Sequence, residues 1–317
     1  MELGILAAAG FCIAAYSVVG NDSIQTLGTF LSSNKKVDWK WIWLFIAGIL
    51  VATVSYSWAV NGGDISSGRL AKIPLPAGGI QWYHVAAPAV LLFLTRFGLP
   101  VSTTFLVLSV FASTMVFEKM LIKSVLGYGV AAVFAYAAWF LIARFFNERK
   151  KITNENHKKL WKIAQWGATG FLWIQWLIHD MSNIAVFLPR QLSFGQLLFV
   201  LTVFVVGLGL TLRARGGKIQ EVVLSKSGTR FVRSATIVDI IYAITLLMFK
   251  EWSDIPMSTT WVFVGLLCGR ELAVHSLYNP GKKSIKAVWP IVAKDFVKIL
   301  VGLAVSVALV LLVKYAI

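Results

Sequence analysis

The sequence predicts an all-α integral membrane protein made of two inverted-topology repeats, with broken helices and re-entrant hairpins. Three observations carry that reading. Of 317 residues, 58% are hydrophobic and 14% charged, with mean hydropathy +0.75. Runs such as Trp41–Val60 and Leu197–Leu212 approach the roughly 20 apolar residues that a bilayer-spanning helix needs. A hydroxyl-rich motif occurs twice, as "GLPVSTTFLVLSVF" at 98–111 and "DIPMSTTWVFVGLL" at 254–267. Basic residues, finally, concentrate in alternate connections.

In chain order, helical segments are expected near 2–32, 40–60, 82–116, 121–146, 158–188, 193–213, 234–272 and 288–316. The start, "MELGILAAAGF", carries Glu2 and no basic residue. It lacks the charged region of a signal peptide and reads as a retained first helix. Trp39, Trp41 and Trp43 read as an interfacial anchor for the second. Cys12 and Cys268 fall inside apolar segments and read as packing residues, which argues against a disulfide framework or a thiolate site.

The net charge of +16 belongs to membrane topology, not to a nucleic-acid partner. Lys35, Lys36 and Lys40 form one basic group, and Arg144, Arg149, Lys150, Lys151, Lys158 and Lys159 a second. Arg213, Arg215, Lys218, Lys226, Arg230 and Arg233 form a third, and Lys282, Lys283 and Lys286 a fourth. By the positive-inside rule these connections are cytoplasmic. The poorer connections, with Arg69 and Lys72, Lys119 and Lys123, Arg190 and the C-terminal Lys314, face outward with both termini.

Asp22 precedes Ser102 by 80 positions and Asp180 precedes Ser258 by 78, with Gly62-Gly63 and Gly216-Gly217 between them. The expected division is repeat 1 over 1–146, a cytoplasmic linker over 147–159 ("NERKKITNENHKK") and repeat 2 over 160–317. If each Pro-x-Ser-Thr-Thr segment enters and leaves on one side, each repeat crosses the bilayer three times. An odd number inverts the second copy and reproduces the charge distribution. A full crossing instead would exchange the sides of the linker and of the 116–123 connection. Inverted repeats with broken helices recur in secondary transporters, with substrate near the midplane.

The chemistry lies in two constellations. Pro100 and Pro256 suit a first helical turn, and an adjacent hydroxyl can cap it, so "PVSTT" and "PMSTT" read as half-helix starts. Inside a bilayer such a start presents free N–H groups and partial positive charge, which suits an anion. The other constellation is "GNDSIQTLGT", 20–29, with "IHDMSNIAVF", 178–187. An Asp within an apolar helix costs about 2.5–3.5 kcal/mol on insertion scales, so Asp22 and Asp180 read as functional. With Asn21, Gln25 and Asn183 they supply hard oxygen ligands for a small cation; Gly20 and Gly28 would permit unwinding there. Arg96 and Lys250 read as snorkelling cations, Asp239 as a structural hydrogen-bonding partner and Arg270-Glu271 as a local pair. The sequence holds no metalloenzyme cluster, nucleophile triad or Walker loop, so neither an enzyme nor an ATP-driven pump is expected.

These residues resemble the inorganic phosphate transporter family, whose members carry a Gly-Ala-Asn-Asp-Val-Ala-Asn-Ala signature and a Pro-Val-Ser-Thr-Thr signature in each half. "GNDSIQTLGTFLSS" with "PVSTT" is similar to the first pair, and "HDMSNIAVFLP" with "PMSTT" to the second. The resemblance implies that Asn21, Asp22, Gln25, His179, Asp180 and Asn183 line the ion and phosphate sites. Asp22, Asp180 and Asn183 would touch a metal cation. Ser102, Thr103, Thr104, Ser258, Thr259 and Thr260 would cradle the anion beside Asp22 and Asp180. Gln25 and His179 stand where the family has Asn, and Val186-Phe187 where it has Gly-Pro.

The implied function is import of inorganic phosphate with a sodium ion or a proton, by alternating access, in a cell (inner) membrane. No cofactor beyond the coupling ion is implied, and a homodimer is compatible with it. The alternatives are a sulfate permease of the same fold, and an anion channel or non-transporting membrane receptor.

Overall fold

The computed structural model describes residues 4–96, 101–145, 155–214, 232–278 and 289–316. Regular structure among them is helical: α1 (Ile5–Gly20), α2 (Asp22–Ser33), α3 (Trp39–Val60), α4 (Trp82–Arg96), α5 (Thr114–Phe145), α6 (Glu155–Asp180), α7 (Ser182–Ala185), α8 (Phe194–Arg213), α9 (Val232–Trp252), α10 (Thr259–Tyr278) and α11 (Trp289–Ala316). A π-helical turn, Thr104–Leu108, lies between α4 and α5. Among the described residues, five stretches are long and apolar enough to cross a membrane: Ile5–Ser33, Trp39–Val60, Thr114–Ile142, Phe194–Arg213 and Val232–Trp252. The chain is an integral membrane protein. Pro100, Gly216-Gly217, Glu2 and the basic residues Arg149–Lys151, Arg215, Lys218, Lys226, Arg230, Lys282, Lys283 and Lys286 lie outside the described residues.

Local chemistry fixes several helix ends. The Asp38 carboxylate accepts from the Lys40 N–H at 3.0 Å and opens α3. Ser193 and Gln196 form a reciprocal capping box at the start of α8. After α7, the Arg190 guanidinium donates to the carbonyls of Ala185, Val186 and Leu188 at 3.2–3.4 Å and to Ile73 O at 2.7 Å. A cation thus satisfies acceptors that the helix end leaves open. α6 begins at Glu155, inside the stretch read as a linker.

The structure corrects several expected boundaries. The 2–32 segment divides at Asn21, beside Gly20: Asn21 has φ −106° and ψ −70°, its N–H donates to Ser17 O at 2.9 Å and its carbonyl accepts from Gln25 N at 3.0 Å. Gly28 sits within α2. The 158–188 segment divides at Met181, whose N–H donates to Leu177 O at 3.0 Å and whose carbonyl accepts from Ala185 N at 2.8 Å. The 234–272 segment divides at 253–258, where Pro256 disfavours helical backbone before it. The turn before α5 spans 109–113, so Lys119 and Lys123 lie inside a helix and not in a 116–123 connection. Trp43 is a tie between helices, its indole N–H donating to Val205 O of α8 at 2.9 Å, while Trp41 is exposed. Cys12 is exposed on α1 and only Cys268 is buried.

α5 and α10 meet backbone to backbone. A Cβ at Gly265 would stand 2.2 Å from Tyr128 O, and one at Gly269 would stand 1.9 Å from Ala132 O. Two glycines four residues apart let the helices close, as small residues do in membrane bundles. Phe187 fills a comparable position against α1: its ring occupies the space that a Cβ at Gly10 would need, 2.5 Å from Cδ1. The close approach predicts that Gly265→Ala and Gly269→Ala each destabilise the bundle by about 1–3 kcal/mol or more, because the obstacle is backbone. Gly129→Ala, which meets nothing within 4 Å, should be neutral. Thermal unfolding midpoints in detergent check the difference.

Candidate functional site

The two hydroxyl motifs meet. The Thr104 hydroxyl donates to Met257 O at 3.2 Å, joining "PVSTT" directly to "PMSTT". Ser102 and Ser258 act as caps, their hydroxyls accepting from Phe105 N at 3.3 Å and Trp261 N at 3.2 Å. Ser124 of α5 supports the second start, its hydroxyl accepting from Ser258 N at 2.8 Å. Lys123 holds the approach to that start, donating to Ser253 O at 2.5 Å and Ile255 O at 2.9 Å. Thr103, Thr259 and Thr260 are buried. The Thr103 hydroxyl faces Asp22 yet closes no well-formed hydrogen bond, and Thr259 faces Asp180.

Asp22 and Asp180 come within electrostatic reach of one another, at 2% and 1% exposure. The kink at Asn21 serves the first: Asn21 Nδ2 donates to Asp22 Oδ1 at 2.5 Å and to Val101 O at 3.1 Å, while Gln25 Nε2 donates to Asn21 Oδ1 at 2.9 Å. Asn21 and Gln25 therefore anchor the Asp22 turn to the first hydroxyl motif. Around Asp180, Asn183 Nδ2 donates to Oδ1 at 2.6 Å, leaving Asp180 Oδ2 and Asn183 Oδ1 buried without partners. Two unpaired oxygens beside a second carboxylate suit a hard cation, whereas the free Thr103 hydroxyl can serve an anion. Among the described residues no group of three or more His, Cys, Asp or Glu gathers to hold a metal.

His179 is oriented by Leu246 O, 2.8 Å from Nε2. That acceptor assigns the proton to Nε2, and the buried Nδ1 has no partner. Arg69 Nη2 stands 3.4 Å from the same Nε2.

Sequence reasoning did not single out Thr26, Tyr242, Arg69 or Lys123. Thr26 lies one helical turn from Asp22 and could have been found by that spacing. Tyr242 donates to Thr259 O at 2.9 Å and faces Thr26, Asp22 and Asp180. Nothing local marks Arg69, which arrives from the 61–81 connection. Lys250 pairs with Glu251 at 3.3 Å, and the Arg96 side chain lies outside the described residues. Arg270 binds Glu271 at 2.9 Å and Ser234 at 3.2 Å and lies 5.5 Å from the Trp139 ring.

Asp239 is a structural junction. Its two oxygens accept from Thr29 and Thr169, each at 2.6 Å, tying α2, α6 and α9 together. Asp239→Ala would leave both hydroxyls buried without an acceptor. A loss of about 2–4 kcal/mol is predicted, with Asp239→Asn milder, measured as the shift in thermal unfolding midpoint.

A solved structure, the sodium-dependent phosphate transporter, matches this chain with TM-score 0.60 over 99% of each chain at 18% sequence identity. No protein-family model matches the sequence, and neither does any curated protein. The chain has the fold of that transporter.

Proposed function

We propose that the chain is a secondary transporter of the inorganic phosphate transporter family, importing phosphate together with a cation. The observation that carries this reading is the union of the two hydroxyl motifs, Thr104 to Met257 O at 3.2 Å, beside two buried aspartates. Half-helix N–H groups and the Thr103 and Thr259 hydroxyls cradle the anion. The free oxygens of Asp180 and Asn183, with Asp22, hold the cation that offsets its charge. The likeness of fold to a sodium-dependent phosphate transporter supports sodium. So does His179, whose Nε2–H is committed to Leu246 O, as a neutral hydrogen-bonding stand-in for Asn. In alternating access, one inverted repeat rocks against the other around this site.

Sulfate is the second reading, and the two buried aspartates beside the hydroxyl motifs argue against it. Monohydrogen phosphate can donate a hydrogen bond to a carboxylate, whereas fully ionised sulfate has no proton to give.

Radiolabelled phosphate uptake into proteoliposomes tests the assignment. Uptake should rise with an inward sodium gradient and resist sulfate competition. Thr103→Val and Thr259→Val should each raise the half-saturating phosphate concentration about tenfold, as expected for one lost charge-assisted hydrogen bond. Asp22→Asn and Asp180→Asn should remove the sodium stimulation. Sulfate uptake without phosphate uptake would replace the substrate. Flux indifferent to sodium and proton gradients would make the protein a facilitator or channel.

The orientation is tested separately by cysteine labelling in a Cys12→Ser background. Exposed positions Lys36 and Lys72, each replaced by cysteine, should behave oppositely in intact cells: an impermeant thiol reagent should label position 72 and spare position 36. The reverse pattern would invert the topology.

A further inference from the structure

Arg69 is a buried cation with vacant donors. It is 2% exposed, its Nη2 stands 3.4 Å from His179 Nε2, and its Nε and Nη1 have no hydrogen-bond partner. Arg190 shows what a structural arginine looks like here: its Nε is unpartnered too, but its terminal nitrogens donate to four backbone carbonyls, of Ala185, Val186, Leu188 and Ile73, whereas Arg69 Nη1 has none. Burying a guanidinium with donors unmet is costly, so the vacancy calls for a ligand.

The backbone around Arg69 is braced for such a role. Asp64 accepts from Ser66 N at 2.6 Å and Gly68 N at 2.8 Å. Gly68 takes φ +78° and Ser67 φ +55°, the left-handed turn that carries the chain into Arg69. Gly63, at φ +99°, accepts at its carbonyl from Leu192 N at 2.9 Å, and that N lies 3.0 Å from where a Cβ would sit. The side chain is therefore held from a fixed loop and not from a swinging one.

Charge is graded across the same place. Arg69 is within electrostatic reach of exposed Asp254 and of buried Asp180, with Lys123 alongside. Burial lowers the Arg69 pKa to about 10 against the pull of those two carboxylates, so it stays positive at neutral pH. This is the end of the bundle that the positive-inside rule assigns to the outside.

We propose that Arg69 is a second anion-binding residue of the pathway, which takes a tetrahedral oxyanion on the outer side of Asp180 and passes it to the hydroxyl cradle. The planar guanidinium presents several donors to such an oxyanion, a match that a lysine lacks. Asp254 lowers the positive potential that an arriving anion meets, and Lys123 adds positive charge while clasping the Ser253–Ile255 backbone. This rests on the phosphate-import reading and adds an outer station to it.

The test is uptake kinetics of full-length Arg69→Gln, Arg69→Lys and Asp254→Asn in proteoliposomes, with phosphate and then sulfate outside. Arg69→Gln should raise the half-saturating external phosphate concentration about tenfold or more, and Arg69→Lys should recover part of that. Asp254→Asn should lower it, a gain that damage to folding does not produce. A half-saturation unchanged in Arg69→Gln, or raised in Asp254→Asn, overturns the proposal while leaving phosphate import standing. If the wild type moves sulfate instead and the same shifts appear, the Arg69 role holds and the phosphate reading fails. A wild type that moves neither anion overturns both.

Discussion

Two carboxylates buried near each other inside an apolar bundle need compensation, and much of the local architecture supplies it. Asp22 is held by an amide chain, Gln25 to Asn21 to Asp22, that also reaches Val101 O. Asp180 is held on one oxygen by Asn183 and left open on the other. Hydrogen bonds from amides and hydroxyls ease the burial of a carboxylate, and a proton or a positive partner meets what remains. Under the proposed function a coupling cation would meet that need, with Arg69 a further positive charge within electrostatic reach of Asp180.

The frame keeps that arrangement apart from lipid. Glycine contact between α5 and α10 brings Ser124 and Lys123 against the start of α10, where they hold Ser258 N, Ser253 O and Ile255 O. Asp239 does the same work on the other flank by linking α2, α6 and α9 through two threonines. Thr104 closes the ring by reaching Met257 O. Each fastening is a polar bond between elements far apart in sequence. In a bundle without a strong hydrophobic force between helices, polar bonds and close backbone contact take a larger share of the specificity.

Much of this was legible in the sequence because its signals are local. Hydropathy marked the apolar segments, Asp22 and Asp180 stood out as acids in apolar runs, and the repeated hydroxyl motif marked both helix starts, down to the capping Ser102 and Ser258. The failures have physical causes. The helix breaks at Asn21 and Met181 are one residue wide and still bonded to the turns on either side, so Gly20 hints at the first and nothing local announces the second. Lys123 looked like a loop charge because its two carbonyl acceptors lie about 130 residues away. Trp43 looked like an interfacial anchor because its acceptor, Val205 O, is equally remote. Arg69 was invisible for the same reason: its significance comes from His179, Asp180 and Asp254, none of which is near it in the chain.

The central claim is that one buried site, built from both hydroxyl motifs and both aspartates, takes the anion and its cation. A cryo-electron microscopy map of the protein in lipid nanodiscs, with saturating phosphate and sodium, tests it most directly. The account predicts tetrahedral density against the Thr103 and Thr259 hydroxyls, and a smaller feature on Asp180 Oδ2 and Asn183 Oδ1. A map with phosphate bound elsewhere and nothing between the two motifs would contradict it.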